Sequence, residues 1–187
     1  GEVLDDNDFL VDFSGNLYAT VFDKKSSLRT LNNDGILDEP FEYELQNNII
    51  YKGAVNVSNG YFNLEFIVPK DINYQYDAGK ISYYAIDSIN GDASGFDKDV
   101  IIGGINDDFM IDSEGPEIQL FMNDTNFVSG GYTNTEPELL AILFDESGIN
   151  TVGTGIGHDL IAVLDDDVAA QHILNNYYDA DFNSFQS

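Results

Sequence analysis

The stretch FIVPKDINYQYDAGKISYYAID, residues 66–87, contains the pattern that decides the fold. Apolar residues occupy every second position from Phe62 to Val68, and the alternation resumes from Ile81 to Ala85. A period of two residues predicts β-strands, because successive side chains of a strand point to opposite faces. Pro69 has no N–H for a strand ladder, so it ends the first strand, and the turn DAG introduces the second. The stretch therefore predicts a strand, a loop and another strand.

The same alternation recurs along the chain, and helical periodicity does not persist in its first half. Turn-forming Asn and Gly residues separate the runs, and Asn59-Gly60 is the clearest hairpin turn, since both residue types tolerate a positive φ. Further alternating runs are Leu17–Phe22, Phe41–Leu45, Ile118–Met122, Leu140–Phe144 and Leu160–Leu164. Many short strands with frequent turns predict an all-β fold, an antiparallel β-sandwich.

Two units are predicted, a β-sandwich domain in residues 1–108 and an immunoglobulin-like β-sandwich domain in residues 109–187. All seven Lys and Arg residues lie before residue 99, and segment 103–108 has the composition of a linker. The second unit is shorter than the roughly 100 residues of a complete immunoglobulin-like sandwich, so we expect it to be incomplete. Within it, residues 165–175 fit either a short helix or a loop that enters a further strand.

The charge of the chain excludes several classes of partner. The sequence has 34 Asp and Glu residues against 7 Lys and Arg, which gives a net charge of −27. Nucleic acids and anionic membrane surfaces would be repelled by this charge. No apolar run approaches the roughly 18 residues of a membrane helix, so we expect no direct membrane insertion. Because the chain has no Cys, it contains no disulfide, thiolate metal site or cysteine nucleophile.

One loop has part of the spacing of a calcium site. Asn32, Asp34 and Asp38 place oxygen ligands around a glycine, as an EF-hand loop does. The pattern is incomplete, because Thr30 stands where an Asp should begin the loop and Phe41 stands where a bidentate Glu should end it. Two readings stay open, a turn without metal and a weak Ca²⁺ site formed by these three residues.

No motif in the sequence identifies a catalytic site. His158 and His172 are the two histidines, and no Gly-x-Ser-x-Gly turn accompanies them. The glycine-rich segment 153–157 lacks the Lys of a phosphate-binding loop. A hydrolase with two carboxylates is conceivable among 34 acids, but nothing distinguishes one pair. The 11 Tyr and 13 Phe residues fit strand packing first and a sugar-binding platform second.

Several strings of the sequence together resemble one protein family. They are VFDKK (21–25), TLNNDG (30–35), the run from QNNII to YYAID (46–87), DSEGPEIQLFMND (112–124), FVSGGYTN (127–134), DESGINTVGTGIGHDLIAVLDD (145–166) and ILNNYYDAD (173–181). This combination is similar to the region that follows the peptidase domain in the PorU family, the gingipain-like cysteine peptidases that act as sortases of the Bacteroidetes type IX secretion system.

The resemblance implies a role in a larger protein at the cell surface, associated with the outer membrane. In that family an upstream cysteine peptidase domain removes the C-terminal sorting signals of exported proteins and attaches these proteins to lipopolysaccharide. The family's catalytic Cys and His belong to that upstream domain, so we expect no catalytic residue and no cofactor in this chain, apart from the possible Ca²⁺. The implied partners are the upstream peptidase domain, other secretion-system proteins and exported cargo. The alternative is an extracellular Ca²⁺- or glycan-binding module attached to another exported enzyme.

Overall fold

The structure is a computed structural model that describes residues 1–35, 39–70, 72–106, 114–152 and 159–184. The described residues form twelve strands and one 3₁₀ helix, Asn175–Tyr177. The strands are β1 Gly15–Phe22, β2 Ser26–Arg29, β3 Glu42–Leu45, β4 Ile49–Val57, β5 Asp77–Ala78, β6 Lys80–Asp87, β7 Gly91–Asp97, β8 Ile101–Ile102, β9 Glu117–Met122, β10 Leu139–Phe144, β11 Ile161–Val163 and β12 Gln171–Ile173. All pairings between these strands are antiparallel, which confirms the predicted all-β class.

The largest sheet has four strands in the order β4-β1-β6-β7. Leu17 in β1 lies opposite Val55 in β4 and Ala85 in β6, and all three side chains are buried. The intervening Tyr18 points to the other face and is 47% exposed. The alternation of the sequence therefore gives the sheet an inner apolar face and an outer face that contacts water.

The first part of the core covers this inner face. It combines the sheet with the N-terminal segment, and its buried members are Val3, Phe13, Leu17, Ala19, Val55, Val57 and Ala85. The backbone of residue 60 holds the two layers together, since Gly60 donates to the carbonyl of Phe13 and accepts from the N–H of Val3. The N-terminal segment therefore covers the inner face of the sheet mainly with its side chains and less through a ladder of strand hydrogen bonds.

The prediction of a strand from Phe62 to Val68 is wrong. The turn at Asn59-Gly60 forms as predicted, with φ of 51° and 83°, but residues 62–70 form no strand. The N-terminus takes the pairing positions instead, because Phe62 donates to and accepts from Gly1. Phe62 and Leu64 still face the core, where they pack against the buried cluster of the inner face, whereas Val68 is 47% exposed.

The second part of the core contains residues from both halves of the chain. Its buried members are Val21, Ile50, Tyr51, Ile102, Val152 and Ala180. The segment around Ala180 runs along the free edge of β4, where Ala180 donates to the carbonyl of Lys52 at 2.8 Å. The predicted boundary at residues 108 and 109 lies outside the described residues, and the division into two domains stays a prediction.

The described part of the second half contains two hairpins. β9 pairs with β10, and β11 pairs with β12. Residues 165–170 form turns and lead into β12, so the loop alternative for residues 165–175 is the observed one. No helix in the described ranges has the length and apolar character needed to cross a membrane.

Candidate functional site

A cleft with polar and apolar lining residues lies where the two halves of the chain meet. Its volume is about 240 Å³. It is lined by Asn47, Asn48, Ile49, Lys52, Thr151, Val152, Asp159, Ile173, Asn175, Asn176 and Tyr178. One wall is the start of β4 and the residues before it, and the other wall comes from segments more than 90 positions later in the sequence. We call this feature the junction cleft.

Asn175 fixes the far wall of the junction cleft. Its Oδ1 accepts a hydrogen bond from the backbone N–H of Leu160 at 2.9 Å, and its Nδ2 donates to the carbonyl of Thr151 at 3.0 Å. The amide therefore joins three separate segments of the second half, and a side chain of another shape would release both bonds. On the near wall, the ammonium of Lys52 lies 2.8 Å from a carboxylate oxygen of Asp179.

The phenol of Tyr178 is neutral over the whole physiological range. Burial, the largest cause, together with the neighbouring Tyr51, Asp181 and Asp179 raises the pKa of Tyr178 to about 12. Burial also raises the pKa of Tyr51, which stacks on Phe66 at a ring distance of 4.9 Å. The O–H of Tyr178 is thus a permanent hydrogen-bond donor beside the cleft.

The chemistry of the junction cleft suits binding. Four asparagine amides supply donors and acceptors, and Lys52 and Asp159 supply one charge of each sign. The described lining residues include no serine, cysteine or histidine, so no nucleophile lies there beside a histidine base. We therefore treat it as a candidate site for a small, hydroxyl- or amide-rich ligand.

The sequence contained a weak signal for this cleft. Asn47-Asn48 and Asn175-Asn176 are two asparagine pairs, and the first follows the alternating run Phe41–Leu45, where a turn is expected. Because neighbouring asparagines are also typical of turns, the two pairs indicate a shared cleft only once the fold is known to bring them together.

The structure describes only part of the proposed calcium site. Asn32 has a φ of 50° and accepts a backbone hydrogen bond from Gly35 at 3.0 Å, which forms a tight turn. Asp34 is exposed on this turn, whereas Asp38 lies outside the described residues. In the ranges that the structure describes, no three His, Cys, Asp or Glu side chains are close enough to hold a metal ion. A Ca²⁺ site made by all three residues therefore stays a prediction.

The two histidines do not form a site with other predicted residues. His172 lies exposed on β12, opposite Ala162 of β11. Within the described ranges it has no hydrogen bond to a serine or a carboxylate. His158 lies outside the described residues, so its part in any catalytic arrangement is not described by the structure.

Comparison with known proteins gives a similar solved structure, the crystal structure of dimeric latent PorU from Porphyromonas gingivalis. The two sequences are 34% identical and the structures superpose with a TM-score of 0.57 over 95% of this chain. The chain spans 17% of the length of that PorU chain. No protein-family model matches the sequence. No curated protein matches it either. The chain is therefore similar, in sequence and in fold, to a limited region of PorU.

Proposed function

We propose that the chain is the non-catalytic C-terminal β-sandwich region of a type IX secretion system sortase that resembles PorU. The observation that carries the proposal is the 34% identity over 95% of the chain, combined with a shared fold. In this proposal an upstream cysteine peptidase domain removes the C-terminal sorting signals of exported proteins and attaches them to surface lipopolysaccharide. The parent protein acts at the cell surface, on the outer face of the outer membrane.

The residues of the chain support a structural role within such a protein. It has no Cys, so a cysteine nucleophile has to belong to another part of the polypeptide. The four-stranded sheet buries Leu17, Ala19 and Val21 to 2% exposure or less, which makes a rigid platform. We propose that this platform supports the peptidase domain of the same polypeptide and offers surfaces to secretion-system proteins and cargo.

The test compares two recombinant proteins, the longer natural polypeptide that contains this chain and a version from which residues 1–187 are deleted. We expect the longer protein to cleave a synthetic sorting-signal peptide, and the deleted version to lose thermal stability or cleavage rate. A fully stable and fully active deleted version would remove the scaffold role. A longer protein that lacks a peptidase would remove the assignment to a sortase.

The junction cleft favours a second candidate function, a glycan-binding module attached to another exported enzyme. Sugars present many hydroxyl groups, and four Asn amides with the neutral phenol of Tyr178 match such a ligand. A glycan array probed with the chain and with Asn176→Ala tests this idea. Binding that the substitution abolishes would support it, and the absence of any bound glycan would remove it.

Calorimetry with Ca²⁺ on the chain and on Asp34→Asn tests the metal-binding form of this alternative.

A further inference from the structure

The β9–β10 hairpin exposes more apolar surface than a two-stranded sheet in water normally carries. β10 reads LLAILF, so all six of its side chains are apolar. Because successive side chains of a strand lie on opposite faces, both faces of the hairpin are apolar at β10. Only β9 pairs with β10 in the described part of the chain.

The register of the hairpin defines these two faces. One face carries the pairs Ile118–Leu143, Leu120–Ala141 and Met122–Leu139, and the other carries Glu117–Phe144, Gln119–Ile142 and Phe121–Leu140. The first face is apolar on both strands, and its Ile118 and Leu120 are 58% and 62% exposed. By contrast, the apolar residues of β4 at Ile50, Val55 and Val57 are buried in the main sheet.

We expect a surface of this kind to be covered by other protein surface. Soluble proteins rarely expose contiguous apolar patches of this type unless the patch is an interaction site. An isolated two-stranded hairpin is also only marginally stable in water, so its apolar face gains from being covered. The covered state would bury large apolar side chains, and the centres of protein interfaces are more apolar than their rims.

Acidic residues surround the apolar face and no cation accompanies them. Residues 114–146 contain no Lys, Arg or His. The acids in this segment are Glu114, Glu117, Asp124, Glu136, Glu138, Asp145 and Glu146. One end of the hairpin, where β9 begins and β10 ends, carries Glu114, Glu117, Asp145 and Glu146. The opposite end carries Asp124, Glu136 and Glu138. The surface is thus an apolar centre with negative charge at both ends.

This charge pattern discriminates between possible occupants. In a symmetric contact with a second copy, the same patch faces itself, so the seven acids would oppose seven acids. An anionic membrane or a nucleic acid would meet the same repulsion. A protein surface with Lys or Arg around an apolar centre matches the hairpin in both respects.

We propose that the β9–β10 hairpin is a docking surface for a basic protein partner that covers Ile118, Leu120 and Leu143 and places cations against the acids at both ends. The proposal goes beyond the proposed function, because it depends on the exposed hairpin and its charge and does not require a sortase as the parent protein. The apolar centre supplies affinity, and the acidic ends select the partner by charge.

The experiment measures binding of a fluorescent probe to the full 187-residue chain by fluorescence anisotropy. The probe is a synthetic β-hairpin peptide with valines on one face and lysines at both ends of its strands. One comparison peptide has glutamate in place of every lysine, and another contains the same residues in shuffled order. We expect the lysine hairpin to bind, the glutamate hairpin not to bind, and added salt to weaken the binding.

Variants of the chain separate this surface from the general negative charge. Ile118→Thr keeps a β-branched side chain and Leu120→Thr introduces one, and both suit a strand. Together they should weaken binding of the lysine hairpin about tenfold or more. The matched controls are Ile89→Thr and Ile105→Thr, which are 88% and 73% exposed outside the hairpin. They should leave the affinity unchanged. Asp124→Asn with Asp145→Asn, one at each end of the hairpin, should weaken binding more than Glu2→Gln with Glu65→Gln.

Four results would overturn the proposal. Equal binding of the shuffled peptide, or unchanged binding after the two threonine substitutions, would show unspecific attraction to a chain of charge −27. A dimer in sedimentation that Ile118→Thr and Leu120→Thr dissolve would assign the surface to a second copy. Binding of the chain to phosphatidylglycerol vesicles that the same substitutions abolish would assign it to a membrane. Circular dichroism of each variant verifies that the fold is intact.

Discussion

At the scale of single residues, Asp87 joins the N-terminal segment to the β6–β7 turn. Its Oδ2 accepts hydrogen bonds from the backbone N–H of Ser14 at 2.9 Å and from Nδ2 of Asn90 at 2.8 Å. Its Oδ1 accepts from the N–H of Ile89 at 2.7 Å. These bonds, with the one from Ser14 contributing most, lower the pKa of Asp87 to about 2. The sequence showed Asp87 only as the last residue of a strand.

We expect Asp87→Asn to lower the unfolding free energy at neutral pH and to make the further decrease between pH 7 and pH 3 smaller. The pKa of Asp87 is lower in the folded state than in the unfolded state, so its contribution is present above about pH 4 and lost as the pH falls towards 2. Urea unfolding at pH 7 and at pH 3 measures both effects. Asp6→Asn is the exposed control, and an equal effect from it would contradict the role of Asp87.

A second residue-scale feature is the buried ion pair between neighbouring residues Asp23 and Lys24. The Nζ of Lys24 lies 2.7 Å from Oδ1 of Asp23, and the residues are 6% and 5% exposed. Lys24 also donates to the carbonyl of Ile102 at 3.4 Å. The adjacent pair of Lys25 and Glu44 is joined at 3.0 Å but is mostly exposed, which provides a matched comparison.

We expect Lys24→Met to cost about 3–5 kcal/mol of unfolding free energy, because it leaves the carboxylate of Asp23 buried without its partner. Adding Asp23→Asn should recover a large part of this loss. Lys25→Met should cost no more than about 1 kcal/mol, since its pair is exposed. Urea denaturation of the three variants and of the unsubstituted chain measures these differences. Equal losses for Lys24 and Lys25 would contradict the importance of burial.

At the scale of secondary-structure elements, the sequence predicted β1, β6, β9 and β10 because each has a clear apolar alternation or run. β7 was missed, since its sequence GDASGFD is rich in residues that favour turns. It becomes a strand through its tight turn from β6 and the ladder that follows.

The junction cleft could not be predicted either, because its walls are distant in sequence and only the fold joins them.

The turn at Asn59-Gly60 gives an element-scale prediction. Gly60 has a φ of 83°, and a Cβ there would lie 2.3 Å from the carbonyl oxygen of Val11. We expect Gly60→Ala to lower the unfolding free energy by more than about 1 kcal/mol. Gly95→Ala in β7 should be neutral or slightly stabilising, because its Cβ would meet no atom within 4 Å. Thermal unfolding that ranks the two variants in the opposite order would contradict this account of the turn.

At the scale of the whole molecule, the two halves share part of one core. Val152 and Ala180 from the second half are buried beside Val21 and Ile50 from the first, and Asn183 donates to the carbonyl of Ala54. The change of charge near residue 100 gave no indication of this contact, because composition reports surface character and not packing. The similarity to PorU extends over 95% of the chain and therefore includes residues of both halves.

The shared core predicts that a change in the second half destabilises the main sheet. Ala180→Asp places a charge at a position that is 7% exposed and next to Gly53 of β4. We expect a loss of more than about 2 kcal/mol, visible as a lower urea midpoint. Intrinsic tyrosine fluorescence and far-ultraviolet circular dichroism should report the same shift. Ala170→Asp in an exposed loop is the control, and an equally small effect of both would contradict the shared core.

The most direct test of the central claim is a cleavage assay on the natural protein that contains this chain, run beside the isolated 187 residues. We expect the natural protein to cleave a sorting-signal peptide, to lose this activity on alkylation of its cysteine, and to have all its alkylated sites outside this chain. The isolated chain should show no cleavage. Cleavage by the isolated chain, or a natural protein without any cysteine-dependent cleavage, would contradict the assignment of a non-catalytic region in a PorU-like sortase.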